Sequence, residues 1–146
     1  MLYYTTMNMG EILNELFFSL NFFHRKIICN DKNDSLAQCL AILSIPKKGI
    51  QMSIVTKKLG IDKSTLTRII ENLEKLNLVF RKKNNQDRRS VKIYLTKEGF
   101  SQSEKYRYRL ETLGKQILSN NINNKKELKN SLENFIWELW KYNLKI

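Results

Sequence analysis

The fold is decided by residues 52–99, which read MSIVTKKLGIDKSTLTRIIENLEKLNLVFRKKNNQDRRSVKIYLTKEG. Apolar residues recur at helical spacing on both sides of a short break at 60–62. Gly60 permits the left-handed backbone of a tight turn, and Asp62 can cap the helix that follows. The pattern predicts a helix-turn-helix over 51–73, although a purely structural helical hairpin has the same spacing.

The segment after this pair has the period of a β-hairpin. Apolar and polar residues alternate over 78–82 and again over 91–95, and the turn-forming residues 84–87 separate the two runs. Such a hairpin is too small to stand alone, so we expect it to pack on the helices before it. A basic hairpin directly after a helix-turn-helix predicts a winged helix.

The flanking sequence is helical. Apolar stripes at helical spacing run over 10–28, over 36–43 after a cap at Asp34 or Ser35, and through two segments beyond the capping residue Thr96. The whole chain contains one proline and five glycines, too few for the many turns of a β-sandwich. The predicted fold class is mainly α with a small β-hairpin wing, in one domain over 1–146.

Composition predicts a soluble cytoplasmic protein with a polyanionic partner. The formal net charge is +12 over 146 residues. No apolar run approaches the roughly 18–20 residues of a membrane span, and the N-terminus lacks the pattern of a signal peptide. Two cysteines cannot form a disulfide framework and fit a reducing cytosol.

The positive charge is concentrated in one segment. Residues 81–109 hold ten Lys/Arg against three Asp/Glu, a net of +7 in about one fifth of the chain. A solvated charged face would mix both signs more evenly. The excess falls on the predicted hairpin and the start of the next helix, which points to nucleic acid as the polyanion.

The residues predicted to contact double-stranded DNA lie on the second helix of the pair and on the hairpin. Short hydroxyls, one long guanidinium and backbone donors at a helix N-terminus suit a major groove and its phosphates. The paired arginines at the hairpin tip suit a minor groove, with Asp87 holding an arginine in position. The full set is Lys63, Ser64, Thr65, Thr67, Arg68, Arg81, Asp87, Arg88 and Arg89.

Several of these runs resemble the MarR family of bacterial regulators. They are Ser64–Ile70, Leu73–Lys75, Leu78–Arg81 and, as the most specific match, Asp87–Gly99 with its aspartate, arginine, strand and leucine-threonine. The resemblance covers 62–99 in residue detail. One departure is Asn77, where family members often have glycine, but asparagine also tolerates the left-handed conformation.

The resemblance implies a homodimer. It assigns 33–99 to the winged helix-turn-helix lobe and 8–32 and 100–146 to dimerisation helices, with the interface formed by roughly 10–28, 100–118 and 126–142. Phe22, Phe23, Trp137 and Trp140 are candidates for burial between subunits. Filling the core of the monomer is the alternative for each of them.

The sequence offers no constellation for catalysis. His24 is the only histidine, and its spacing from Cys29 falls short of a zinc site, so we expect no enzyme activity, metal or cofactor. Cys29, near Arg25 and Lys26, is the candidate redox-sensitive thiol because nearby cations lower a thiol pKa.

The leading hypothesis is a sequence-specific DNA-binding transcription regulator, expected to be a repressor, acting as a homodimer on palindromic sites. Its response to a small-molecule effector is left open. Two alternatives also stand: a DNA-compacting protein without sequence specificity, and a helical adaptor whose winged lobe binds protein.

Overall fold

A computed structural model of the chain describes residues 7–30, 35–83, 91–119 and 124–143. The chain divides into two compact units, Met1–Leu110 and Glu111–Ile146. None of the described helices is long and apolar enough to cross a membrane. In chain order the elements are α1 (Met9–Phe23), a π-helical turn (His24–Ile28), α2 (Leu36–Ser44), β1 (Ile50–Gln51), α3 (Met52–Leu59), α4 (Lys63–Lys75), β2 (Val79–Lys83), β3 (Val91–Leu95), α5 (Lys97–Ser119) and α6 (Lys125–Asn143).

The first two helices begin at capping boxes. In α1 the Asn8 side chain accepts from the Glu11 N–H, and the Glu11 carboxylate accepts from the Asn8 N–H. In α2 the side chains of Ser35 and Gln38 accept from each other's backbone N–H in the same way. Ser35 is therefore the cap of α2, while Asp34 lies outside the described residues. The predicted helix over 10–28 changes to π geometry at His24, whose carbonyl accepts from the Cys29 N–H at 2.8 Å.

The helix-turn-helix forms as predicted. Gly60 ends α3 with φ of 63°, in the left-handed region, and Asp62 caps α4 through the Thr65 N–H. The inner face of α4 is buried in a core that α2, α3 and α5 complete. Its members on α4 are Leu66, Ile69, Ile70 and Leu73, and Ile42, Val55, Ile93 and Tyr106 are among those on other elements.

The hairpin strands also form, within a three-stranded antiparallel sheet of order β1-β3-β2. Val79 pairs with Leu95 and Lys83 with Val91, so the register runs the length of both strands. The two-residue strand β1 was not predicted, because two residues are too few to show a period of two. Its Ile50 pairs with the buried Ile93, which places β1 at the edge of the winged lobe's sheet.

The end of α4 is joined tightly to the start of α5. The Asn77 N–H donates to the Glu74 carbonyl and the Leu78 N–H to the Leu73 carbonyl, a Schellman motif with Asn77 at φ of 56°. The Thr96 hydroxyl donates to the Asn77 carbonyl at 2.7 Å and accepts from the Gly99 N–H at 3.0 Å. Asparagine therefore does supply the left-handed position where glycine is common.

The second unit contains the end of α5 and all of α6. Lys115 pairs with Glu111 at 2.6 Å, and this hydrogen bond lowers the pKa of the Glu111 carboxyl. None of the described α6 side chains is buried, and a run of large apolar ones is exposed. The run consists of Leu132, Ile136, Trp137, Leu139, Trp140 and Tyr142.

Gly99→Ala tests the joint between α4 and α5. A Cβ at this position would overlap the Leu78 carbonyl oxygen, which is backbone and cannot swing aside. We expect the free energy of unfolding to fall by about 3 kcal/mol in urea titrations. Gly114→Ala is the control, since its Cβ would meet nothing within 4 Å and should stabilise the helix slightly. Equal effects of the two variants would contradict this reading of the joint.

Candidate nucleic-acid interface

The N-terminus of α4 is organised by the Asp62 carboxylate. It accepts from the Ser64 hydroxyl, from the Thr65 hydroxyl at 2.7 Å and from the Thr65 N–H at 2.8 Å. The Thr67 hydroxyl donates to the Lys63 carbonyl at 2.8 Å. The three predicted DNA-contacting hydroxyls thus have their protons engaged within the protein and keep lone pairs as acceptors.

The same hydrogen bonds fix the charge of Asp62. The Ser64 hydroxyl, and after it the Thr65 hydroxyl and N–H, hold the pKa of this carboxyl far below its usual range. Asp62, an exposed residue, therefore stays a carboxylate in acidic solution in which an ordinary aspartate would be protonated. Sequence reasoning identified Asp62 as a cap but missed that it positions Ser64 and Thr65. The Ser and Thr at two and three residues past the cap were the available signal.

The exposed face of α4 carries the predicted site residues together. Lys63, Ser64, Thr65 and Arg68 are exposed, and Thr67 is half-buried. They lie on the first turn and a half of the helix, opposite the buried Leu66 and its neighbours. The structure thus places five of the nine predicted residues on one surface.

Arg81 lies on the wing but faces α4. Its Nε donates to Glu74 Oε1 at 3.0 Å and its Nη2 to Glu74 Oε2 at 2.6 Å, a bidentate pair that raises the pKa of Arg81. Two of its donors are thus occupied by a carboxylate of α4, the second or recognition helix of the helix-turn-helix. The visible role of Arg81 is to hold β2 against α4, and DNA contact by Arg81 stays a prediction.

Part of the basic segment is used inside the protein. Arg109 donates to the Ile28 carbonyl at 2.7 Å, and Arg107 to the Leu43 carbonyl at 3.3 Å. Both satisfy carbonyls near the ends of helical segments. With Arg81, three of the ten cations counted over 81–109 therefore support the fold. Asp87, Arg88 and Arg89 lie outside the described residues, and their roles stay predictions.

The two cysteines are buried. Cys29 is 8% exposed at the end of the π-helical turn, and Cys39 on α2 is fully covered. A thiolate that senses oxidants needs solvent access as well as nearby cations. The redox role of Cys29 stays a prediction, and the burial of its side chain gives it no support.

The fold and the α4 surface define a winged helix-turn-helix protein, and comparison with known proteins refines the class. A model of the MarR family matches residues 47–91. The chain is 34% identical over 89 residues to the HTH-type transcriptional regulator PapX of Escherichia coli, covering 60% of this chain and 54% of PapX. The match therefore spans about half the length of that relative.

Solved structures agree with the family match. A MarR transcriptional regulator from Methanosarcina mazei is 25% identical, with a TM-score of 0.74 over 90% of this chain and 99% of its own. FabT of Streptococcus pneumoniae, crystallised in complex with DNA, is 20% identical, with a TM-score of 0.72 over 90% and 97%.

A MarR family model thus matches the winged-helix segment, and the fold around this segment is similar to that of MarR-family structures. The resemblance to this family found over 62–99 and the predicted fold class are confirmed. The family is one of transcription regulators, which agrees with the expectation of a non-enzymatic protein.

A double-mutant cycle tests the bond between wing and recognition helix. We expect Glu74→Gln and Arg81→Gln to be non-additive, with a coupling free energy of about 1 kcal/mol from urea titrations, because the pair is bidentate and about two-thirds covered. The Glu111–Lys115 pair is the control, since its side chains are 63% and 75% exposed and its coupling should not exceed about 0.3–0.5 kcal/mol. A coupling no larger than that of the control would contradict the positioning role of Arg81.

Proposed function

We propose that the protein is a DNA-binding transcription regulator that acts as a homodimer on palindromic sites and represses transcription. The observation that carries the proposal is the exposed group of donors and acceptors on the first turns of α4. The opposite, apolar face of α4 is buried in the core, so the polar face is free to enter a major groove. The DNA in the FabT crystals and the regulator function named for PapX support it.

Base reading is assigned to four side chains, which are Ser64, Thr65, Thr67 and Arg68. Arg68 can donate two hydrogen bonds to the O6 and N7 of a guanine. The hydroxyls of Ser64 and Thr65 can accept from base amino groups, since their own O–H groups already donate to Asp62. Lys63, at the helix start, is assigned to a phosphate. Arg88 and Arg89, braced by Asp87, are assigned to the minor groove on sequence grounds.

Dimerisation is supported by unpaired apolar surface. Helix α1 has no buried residue, and Phe17 and Phe22 are 60% and 57% exposed. In the second unit, Trp137 is 64% exposed. Isolated monomers rarely expose this much aromatic surface. We propose that 8–32 and 100–146 form the dimer interface and that 33–99 form the DNA-binding lobe.

Effector response and location complete the proposal. We place the protein in the cytoplasm, because a transcription regulator must have access to DNA.

Next to α2 and α5, a cavity of about 180 Å³ is lined by Ile45, Pro46, Leu95 and Phe100, with Lys47 and Arg107 among its polar residues. This is below the roughly 300–1,000 Å³ of common ligand pockets. A small-molecule effector therefore stays a prediction.

Selection of bound sequences from random DNA tests specificity and symmetry together. We expect a palindrome with half-sites about one helical turn, roughly 34 Å, apart. Arg68→Ala should relax preference at one position in each half-site by about 1–3 kcal/mol. The control is Lys75→Ala, which removes a long cationic side chain from the opposite end of α4. Uniform weakening of all sequences by Arg68→Ala would favour the compacting protein, and no binding of any duplex at low salt would favour the adaptor.

Sedimentation equilibrium tests the dimer. Phe22→Ser should weaken self-association by about 2 kcal/mol, because a large aromatic side chain is lost from the proposed interface. Ile54→Ser is a matched control on α3, where Ile54 is 48% exposed but lies outside the terminal helices. A monomeric wild-type protein, or equal weakening by both variants, would contradict the proposed interface.

A further inference from the structure

A serine or threonine hydroxyl is by itself an ambiguous reader of DNA bases. It has one proton to donate and lone pairs that accept, so a freely rotating hydroxyl can bond either kind of group in the major groove. Ser64 and Thr65 are both exposed on the first turn of α4. The ambiguity is removed if the protein itself supplies an acceptor for each proton.

The Asp62 carboxylate supplies both acceptors, one on each oxygen. Its Oδ1 accepts from the Ser64 hydroxyl and from the Thr65 N–H at 2.8 Å, and its Oδ2 accepts from the Thr65 hydroxyl at 2.7 Å. The same bonds hold the pKa of Asp62 below its usual range, so both oxygens stay acceptors. Because the hydroxyls donate to a charged group, their oxygens are also polarised as acceptors. Each hydroxyl therefore turns its lone pairs outward.

We propose that Asp62 is a positioning residue that determines which bases α4 can read, an inference that rests on the proposed function. With their protons directed inward, Ser64 and Thr65 accept from exocyclic amino groups, which the major groove presents on adenine and cytosine. Guanine and thymine have only acceptors there, so a hydroxyl oxygen facing them is desolvated without a hydrogen bond. Each half-site then has adenine or cytosine where these two hydroxyls lie.

Thr67 provides an internal reference for this assignment. Its hydroxyl has the same polarity, but it donates to the backbone carbonyl of Lys63 rather than to Asp62. A substitution at position 62 leaves that acceptor in place. Base preference at a position read by Thr67 should therefore be the same in every Asp62 variant.

Asp62→Asn reverses the polarity of one hydroxyl and keeps the helix cap. The Thr65 N–H needs an acceptor, so the amide oxygen stays in the place of Oδ1, where it also accepts from Ser64. The amide nitrogen then faces the Thr65 hydroxyl and donates to it, so the Thr65 O–H is left to donate to a base. At the base that Thr65 reads, we expect a preference for cytosine over guanine or thymine to be reversed, by about tenfold. Adenine, with an amino group and the acceptor N7, should be tolerated by both proteins.

The measurement is fluorescence anisotropy with labelled duplexes that carry each of the four bases in turn along the selected half-site. Thr65→Val keeps the shape of the side chain and removes the hydroxyl, so the position where preference is lost is the one that Thr65 reads. Asp62→Asn in the Thr65→Val background should have no further effect on that preference. The position read by Ser64 should keep its preference in Asp62→Asn.

Glu71→Gln is the matched control for charge. It removes one negative charge from an exposed side chain of α4 that bonds neither hydroxyl. Loss of a negative charge strengthens binding to every duplex alike, because phosphates attract without regard to sequence. Glu71→Gln should therefore keep the base preferences of the wild type.

Asp62→Ser separates base reading from folding. Asparagine and serine cap helices about as well as aspartate, so both variants should unfold at urea concentrations close to that of the wild type. The single side-chain oxygen of serine is occupied by the Thr65 N–H, so both hydroxyls lose their acceptor. Preference should relax at the two positions that Ser64 and Thr65 read.

Three outcomes would overturn the role of Asp62 and leave the proposed function standing. The first is an unchanged ratio of cytosine to guanine affinity in Asp62→Asn, and the second is an equal loss of affinity for all four bases, which a purely structural cap would give. The third is a Thr65→Val protein that keeps every preference of the wild type. A wild-type protein with no base preference at any position contradicts the proposed function, and the role of Asp62 with it.

Discussion

The winged lobe depends on the close approach of Gly99 to the Leu78 carbonyl, which the absence of a side chain at 99 makes possible. On one side of this contact, Asn77 in the left-handed conformation ends α4 and turns the chain into β2. On the other, Thr96 bonds back to the Asn77 carbonyl and starts α5. The run Leu95–Gly99 is therefore a structural joint. It fixes the direction in which β2 leaves α4.

The joint determines where the charged side chains of the lobe can go. Because β2 leaves α4 at a fixed angle, Arg81 meets Glu74 in a bidentate pair, and alternate residues of β2 face away from the helix. The recognition helix and the sheet then behave as one body with two surfaces. One surface carries the hydroxyls and Arg68, and the other carries Lys82 and Lys92.

Much of the lobe could be predicted from sequence because its signals are local. Gly60, Asp62 and the change of period at 76–78 act through the backbone of a few neighbouring residues, so helix ends and strands followed directly from them. Three features could not be predicted. The strand β1 is too short for a pattern, the π-helical turn has the same apolar spacing as an α-helix, and the Arg81–Glu74 pair depends on strand register. That last feature is why sequence assigned Arg81 to DNA alone.

The Asp62 carboxylate has a consequence for how α4 meets any polyanion. It lies at the positive end of the helix dipole and accepts the Thr65 N–H, so it is a counter-ion built into the chain. A phosphate at the same place would meet a fixed negative charge and an N–H already in use. The backbone charge at the end of α4 is thus neutralised from within, and the attraction for a polyanion comes from side-chain cations such as Lys63 and those of the wing. The hydroxyls that discriminate are in this way separate from the groups that attract.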